Sequence, residues 1–154
     1  MLFRSIDANI PAIGHSDVFI ALVRAAAESG HAFHCGLTAA MASFFVGQGR
    51  VVPPFPPRNT DLVERLAVQK VSNMEMEAST IFTLAHLAGH RAGIACSVFA
   101  ERHANKFIDK ISIIEAEKKC IDIVLSAFLH LKTMDQEKGN SPYWYPGIAN
   151  NISK

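Results

Sequence analysis

Apolar and polar positions alternate between two periods along the 154 residues. Ser16 and Asp17 open a segment whose Phe19, Leu22, Val23 and Ala26 recur at helical spacing, and Gly30 closes it. That pattern predicts an amphipathic helix. Ala32 to Ala40 is short and mostly apolar, and reads as a buried strand feeding a loop. Periodicity is lost from Ser43 to Arg58, where four of the seven prolines fall between Pro53 and Pro57. Proline lacks the N–H that helix interiors and central strands need, so this is a loop. Thr60 and Asp61 then precede a short helical stripe of Leu62, Val63, Leu66 and Ala67, with Glu64 at the capping-box position. Val71 to Met74 is strand-like. Glu75 to Ala88 predicts a helix through Ala78, Ile81, Phe82 and Ala85, ended by Gly89.

Arg91 to Phe99 is almost continuously apolar, the pattern expected of a strand covered on both faces. A polar stretch from Glu101 to Lys110 follows. The last helix is expected from about Ile114 to Leu131, with Ala116, Cys120, Val124, Ala127 and Leu131 on one face. Beyond Lys132 the chain turns polar and rich in Gly, Pro and Asn around Tyr143-Trp144-Tyr145, whose simplest role is packing on its own domain. These readings predict one domain over 1–131 and a polar tail over 132–154. Helices alternating with strands predict an α/β layer sandwich around a mostly parallel sheet. Only three or four strands can be counted, and Met1 to Ser5 joins Ile6 with no cap or element of its own. The chain is therefore expected to start inside a domain.

Composition narrows the function. Fifteen basic and 14 acidic side chains give a formal charge of +1, without the clustered basic excess of a nucleic-acid binder. With 49% apolar and 19% charged residues the chain can build a core, which excludes intrinsic disorder. No apolar run reaches the roughly 18 residues that cross a bilayer, and no secretory leader pattern precedes Ile6. Cys35, Cys96 and Cys120 are odd in number and lie in apolar segments. Reduced, buried thiols in a cytoplasmic protein are expected.

Two clusters carry candidate chemistry. In Phe44-Phe45-Val46-Gly47-Gln48-Gly49-Arg50 an amide and a guanidinium stand two residues apart, after aromatic residues, in a glycine-flexed loop. A planar heterocycle could stack on the aromatic ring while Gln48 and Arg50 hydrogen-bond its edge. The plainer reading is a glycine-rich turn with a solvated Arg. In Asn73-Met74-Glu75-Met76-Glu77-Ala78-Ser79 two carboxylates flank a methionine where a strand gives way to a helix. Carboxylates suit a helix start through its dipole alone. At the carboxyl end of a strand they also suit a vicinal diol, and that edge is where ligands bind in open α/β sheets. His86 and His90 have the i, i+4 spacing of a metal pair, but Gly89 ends the helix there and no metalloprotease Glu lies between them. They read as helix-end histidines, and no metal site is expected.

At both clusters the sequence resembles the nucleoside phosphorylases of the hexameric type, the uridine-cleaving members most closely. The residues that carry the likeness are His34-Cys35-Gly36-Leu37-Thr38-Ala39, Ser43 to Arg50, Asn73 to Ser79, and Arg91 to Ile94 with Val98 to Arg102. Order and spacing agree from about Ile6 to Leu131. The resemblance implies a three-layer αβα sandwich around a mixed, mostly parallel sheet, here lacking its N-terminal strands. It implies phosphorolysis of a pyrimidine nucleoside, uridine and phosphate giving uracil and ribose 1-phosphate. No cofactor is implied beyond phosphate as co-substrate, and no nucleic acid or membrane partner. A homo-oligomer, dimer or hexamer, is implied for the full-length form.

Residue by residue, the resemblance gives Phe44 the role of stacking on the base, and Gln48 and Arg50 that of binding its edge. Glu77 would hold the ribose hydroxyls beside Glu75, with Met76 against the sugar. Val98 and Phe99 would wall the base pocket, and Arg102 would back up the base-reading pair. Gln48, Arg50 and Glu77 are thus the expected catalytic residues. Purine-cleaving relatives carry an Asp acid in the 97–101 stretch. None is present here, and Glu101 stands where the pyrimidine type has Asn. The family's N-terminal half, which carries the phosphate-binding glycine and arginines, has no counterpart in this chain. The polypeptide alone is therefore expected to be inactive or poorly folded. A hydrolytic nucleosidase and a non-catalytic nucleoside-binding protein are the alternative readings.

Overall fold

The computed structural model describes residues 6, 7 and 9–152, and the expectation for Met1 to Ser5 lies outside them. The described chain divides into two compact units. The first holds β1 (Leu37–Ala40), α2 (Leu62–Val68), β2 (Val71–Glu75), α3 (Ala78–Leu87), β3 (Ala100–Glu101) and β4 (Lys106–Phe107). The second holds α1 (Ser16–Glu28), α4 (Lys110–Lys138) and α5 (Ile148–Ile152).

In the first unit β1 and β2 pair in parallel, with Thr38 opposite Asn73, Ala39 opposite Met74 and Ala40 opposite Glu75. The Thr38 hydroxyl donates to the Asn73 side-chain carbonyl across that pair. Gly36 is required at the entry to β1, because a Cβ there would lie 1.8 Å from the Ser72 hydroxyl oxygen. A parallel pair needs a crossover, and the long loop with α2 supplies it. Asp61 stands at the N-cap of α2 but makes no side-chain cap bond, so the expected capping box with Glu64 does not form. Its φ of −97° and ψ of 18° depart from the extended backbone that lets an N-cap side chain reach back. β3 and β4 form a short antiparallel hairpin inside the stretch expected to be merely polar.

Two strand expectations are corrected. The strand expected over Ala32 to Ala40 is confined to Leu37–Ala40, and Leu37 itself is exposed. The one expected over Arg91 to Phe99 does not form, since no ladder runs along 91–99. An apolar run supplies the faces of a buried strand but not its edges. A strand exists only where another strand takes up its N–H and C=O groups, and no such ladder runs here, although the Ile108 N–H donates to the Phe99 carbonyl. The described structure is thus a partial α/β fold with a parallel pair and flanking helices. The thiol expectation is corrected too. Cys35 and Cys96 are exposed and Cys120 is half-buried. Both exposed ones lie on segments outside any ladder, where apolar neighbours in sequence are not neighbours in packing.

In the second unit α1 and α4 pack together through Ala21, Ala25, Ala127 and Met134, with Ile123, Leu131 and Trp144 beside them. Alanines on α1 let the helices approach closely. α1 begins as expected, though its cap is the His15 imidazole, whose Nδ1 accepts from the Asp17 N–H at 3.1 Å. The buried Asp17 carboxylate is paired with Lys138 at 3.2 Å, and the His130 Nε2 lies 2.9 Å from the Glu28 carboxylate, so two polar contacts bridge the helices. α4 is longer than expected at both ends. Asp109 caps it by accepting from the N–H groups of Ile111 and Ser112, and it continues past Leu131 because Met134 is a core residue. Trp144 donates its indole N–H to Glu137 at 2.7 Å and docks on its own unit, while Tyr143 and Tyr145 are exposed. No described helix is long and apolar enough to cross a membrane.

Met134→Ala should destabilise the α1–α4 pair by about 2–5 kcal/mol, read as a lower urea midpoint from Trp144 fluorescence. The hydroxyl of Ser112, with the Ser112 and Ile111 N–H groups, holds the Asp109 carboxyl below its ordinary value of 3.8. A depressed carboxylate stabilises above its unfolded value and loses that contribution as pH falls through the folded one. Helix content followed by circular dichroism should therefore fall on acidification below about pH 4, and Asp109→Ala should flatten that limb.

Candidate active site

Because β1 and β2 are parallel, the loops that follow them leave the same edge of the pair. The Met41 N–H donates to the Glu75 carbonyl at 2.7 Å, so the exit of β1 lies against the exit of β2. Both sequence clusters begin there, at the carboxyl ends of the strands, where open α/β sheets bind ligands.

The first cluster folds as a single 3-10 turn over Val46–Gln48. Ser43 fixes its start by accepting the Gly47 N–H at 2.8 Å. Gly49 ends it at φ 72°, and a Cβ there would meet Leu62 at 3.2 Å, so both backbone and space call for glycine. The turn buries Gln48. Arg102, arriving from the β3 hairpin, donates to the Gln48 backbone carbonyl at 3.0 Å and to its side-chain oxygen at 3.4 Å. With that oxygen engaged, the amide turns its N–H donors away from Arg102. Arg50 donates from Nε to the Phe44 carbonyl at 3.1 Å, and its guanidinium lies over the Phe44 ring, 4.4 Å from the centroid. Phe45 stands edge-on to Phe44 at 5.2 Å. Burial, then the neighbouring Arg50 charge, pushes the Arg102 guanidinium below its ordinary value. Two guanidiniums held near one amide make a donor-rich, cationic site suited to carbonyl or anionic oxygens.

The second cluster closes the turn from β2 into α3. One Glu75 carboxylate oxygen accepts the N–H groups of Glu77 and Ala78, both at 2.6 Å. Glu75 therefore does the capping, while Glu77 occupies the N-cap position without a side-chain cap bond of that kind. The Met76 N–H donates to Glu77 at 3.2 Å, which leaves the Glu77 and Met76 side chains exposed. The other Glu75 oxygen is buried and has no hydrogen-bond partner. A buried carboxylate oxygen without a donor is costly unless something outside the chain supplies one.

Thus Phe44, Gln48, Arg50 and Arg102 come together, and Glu75, Met76 and Glu77 form a second group at the same strand edge. Val98 and Phe99 belong to the other unit, where Val98 is exposed. Glu101 is an exposed strand residue paired with Lys106. Sequence reasoning missed Phe107, whose ring lies 5.7 Å from the Arg50 guanidinium. Its signal was an aromatic residue inside an otherwise polar stretch. Ser43 was missed too, although Ser four residues before Gly47 is a turn-forming pattern. Among the described residues no group of His, Cys, Asp or Glu could hold a metal ion.

The family model of the Phosphorylase superfamily matches residues 11–130, and the chain belongs to that superfamily. A uridine phosphorylase of Thermococcus kodakarensis is 38% identical over 147 residues, covering 93% of this chain and 51% of that protein. One of Escherichia coli is 31% identical over 126 residues, covering 77% and 48% respectively. Among solved structures, a Trypanosoma brucei nucleoside phosphorylase described as showing uridine phosphorylase activity superposes with a TM-score of 0.66 at 28% identity. It covers 76% of this chain, which corresponds to 42% of its own. The chain spans about half the length of the curated relatives it matches.

Glu75→Ala removes the acceptor of two N–H groups at the start of α3. It should cost about 0.5–2 kcal/mol, measured as a lower urea midpoint by circular dichroism.

Proposed function

We propose that this chain supplies the base and ribose subsites of a uridine phosphorylase, in which phosphate attacks the anomeric carbon of uridine and uracil departs. The observation that carries this reading is the buried Gln48 held by Arg102 beside Arg50, at the carboxyl edge of the parallel pair. As the glycosidic bond breaks, negative charge develops on the carbonyl oxygens of the departing pyrimidine. The Gln48 amide N–H groups, with Arg50 once its guanidinium leaves the Phe44 ring, stabilise it in this reading. Phe44 offers its ring face to the base once the Arg50 guanidinium turns to the base edge. The unpartnered Glu75 oxygen and the exposed Glu77 carboxylate accept from the two ribose hydroxyls, with Met76 packed on the sugar. Fixing the sugar while the base leaves supplies the orientation part of catalysis.

The names of the matched relatives support uridine as substrate. No cofactor enters this chemistry beyond phosphate. The superfamily's three-layer αβα sandwich, a cytoplasmic location and a homo-oligomeric full-length form, dimer or hexamer, belong to the same reading.

Calorimetric titration with uridine should show saturable binding, weakened about tenfold or more by Gln48→Ala or Arg50→Ala. No binding by the unaltered chain contradicts the proposal. Ultraviolet monitoring of uridine in phosphate and in phosphate-free buffer identifies the reaction. Loss that requires phosphate is phosphorolysis, the expected result whenever the phosphate site is present. Loss without phosphate means a nucleosidase, and binding with no loss when that site is supplied means a nucleoside-binding protein.

A further inference from the structure

Two aromatic rings lie within reach of the Arg50 guanidinium. Its central carbon is 4.4 Å from the centroid of Phe44 and 5.7 Å from that of Phe107. A guanidinium within about 6 Å of a ring face is attracted by the ring's quadrupole, so Phe44 holds the charge closely and Phe107 stands at the outer limit. Arg50 forms no ion pair with a carboxylate among the described residues, and its Nε is tethered to the Phe44 carbonyl at 3.1 Å. The β3–β4 hairpin places the second ring. Arg102, His103, Ala104 and Asn105 close that hairpin, and Asn105 adopts φ 48°, a left-handed conformation open to Asn. Phe107 stands opposite Ala100 and is 57% exposed, which leaves its ring accessible.

We infer that Phe107 is a positioning residue for the base subsite, taking up the Arg50 guanidinium when a pyrimidine base displaces it from the Phe44 ring. The inference rests on the base-subsite reading above. In the structure Arg50 covers the Phe44 face that the base needs. A charge driven off that face toward Arg102 meets a like charge, whereas the face of Phe107 attracts it. Held there, the guanidinium keeps Nη donors for a carbonyl oxygen of the base. A residue alters affinity only through contacts that differ between the free and bound states, and the Phe107 contact is the one that tightens as the Phe44 contact is lost. One hairpin thereby sets both base-reading side chains, Gln48 through Arg102 and Arg50 through Phe107.

Calorimetric titration with uridine tests this through position 107. Phe107→Leu keeps an apolar side chain but removes the ring face, and should weaken binding about threefold to tenfold. Phe107→Tyr keeps the face and should bind as the unaltered chain does. Pentafluorophenylalanine in place of Phe107 keeps the ring and its bulk but inverts the quadrupole, so it should weaken binding as much as Leu does. The side chain is exposed, so circular dichroism should be the same for the unaltered chain and its variants. Uridine binding indifferent to Phe107→Leu overturns the inference. So does a pentafluorinated chain that binds at least as tightly as the unaltered one, because the ring then acts by stacking or bulk. No uridine binding by the unaltered chain overturns the base-subsite reading itself, and the inference with it.

Discussion

Everything that resembles an active site here depends on the parallel pairing of β1 with β2. The register that sets Ala40 opposite Glu75 brings two stretches, separated by the whole crossover, to one edge. A slip of one residue would turn every side chain of a strand to the opposite face. The pair is short, and side chains reinforce it. Thr38 bonds Asn73 across the strands, and Gly36 lets the backbones close where any Cβ would collide with Ser72. The Met41 N–H then extends the pairing one step beyond the ladder and fixes the start of the Gln48 loop.

From that edge the two clusters diverge in chemistry. The loop after β1 gathers donors, and the turn after β2 gathers acceptors. Arg102 is the hinge of the first group, because it satisfies the backbone and side-chain oxygens of a buried Gln48 while its own charge is opposed by Arg50. Two guanidiniums that repel each other favour an oxygen-rich ligand between them more than either favours being alone. Glu75 divides its carboxylate in the second group. One oxygen starts α3, and the other is left buried without a donor. A group that is structural at one atom and unsatisfied at the next is where a fold gives up stability for binding.

Much of this was legible in the chain. Ser16 to Gly30, the proline loop, Leu62 to Ala67 and the Gly89 stop each carry a local signal, and each local signal matched its element. Both clusters were readable because residue types and spacing sit next to each other in sequence. Non-local features were not legible. The Arg91 to Phe99 run looked like a strand, yet strand formation depends on partners that periodicity does not reveal. Division of labour between Glu75 and Glu77 was hidden too, since either carboxylate suits a helix start. Phe107 joined Arg50 only through a hairpin whose strands are two residues each. The end of α4 was misplaced because Met134 looks like one apolar residue among polar ones until α1 is laid against it.

The central claim is that Gln48, Arg50 and Arg102 read the edge of a pyrimidine while the Glu75–Glu77 turn holds the sugar. A crystal structure of the chain with uridine tests it most directly. The predicted result is a uracil carbonyl oxygen within hydrogen-bond distance of both Arg50 and the Gln48 amide nitrogen. The ribose hydroxyls should lie on the Glu75 oxygen that now has no partner and on Glu77. Uridine seated away from these residues, or with its sugar against Arg50 and Arg102, would contradict it.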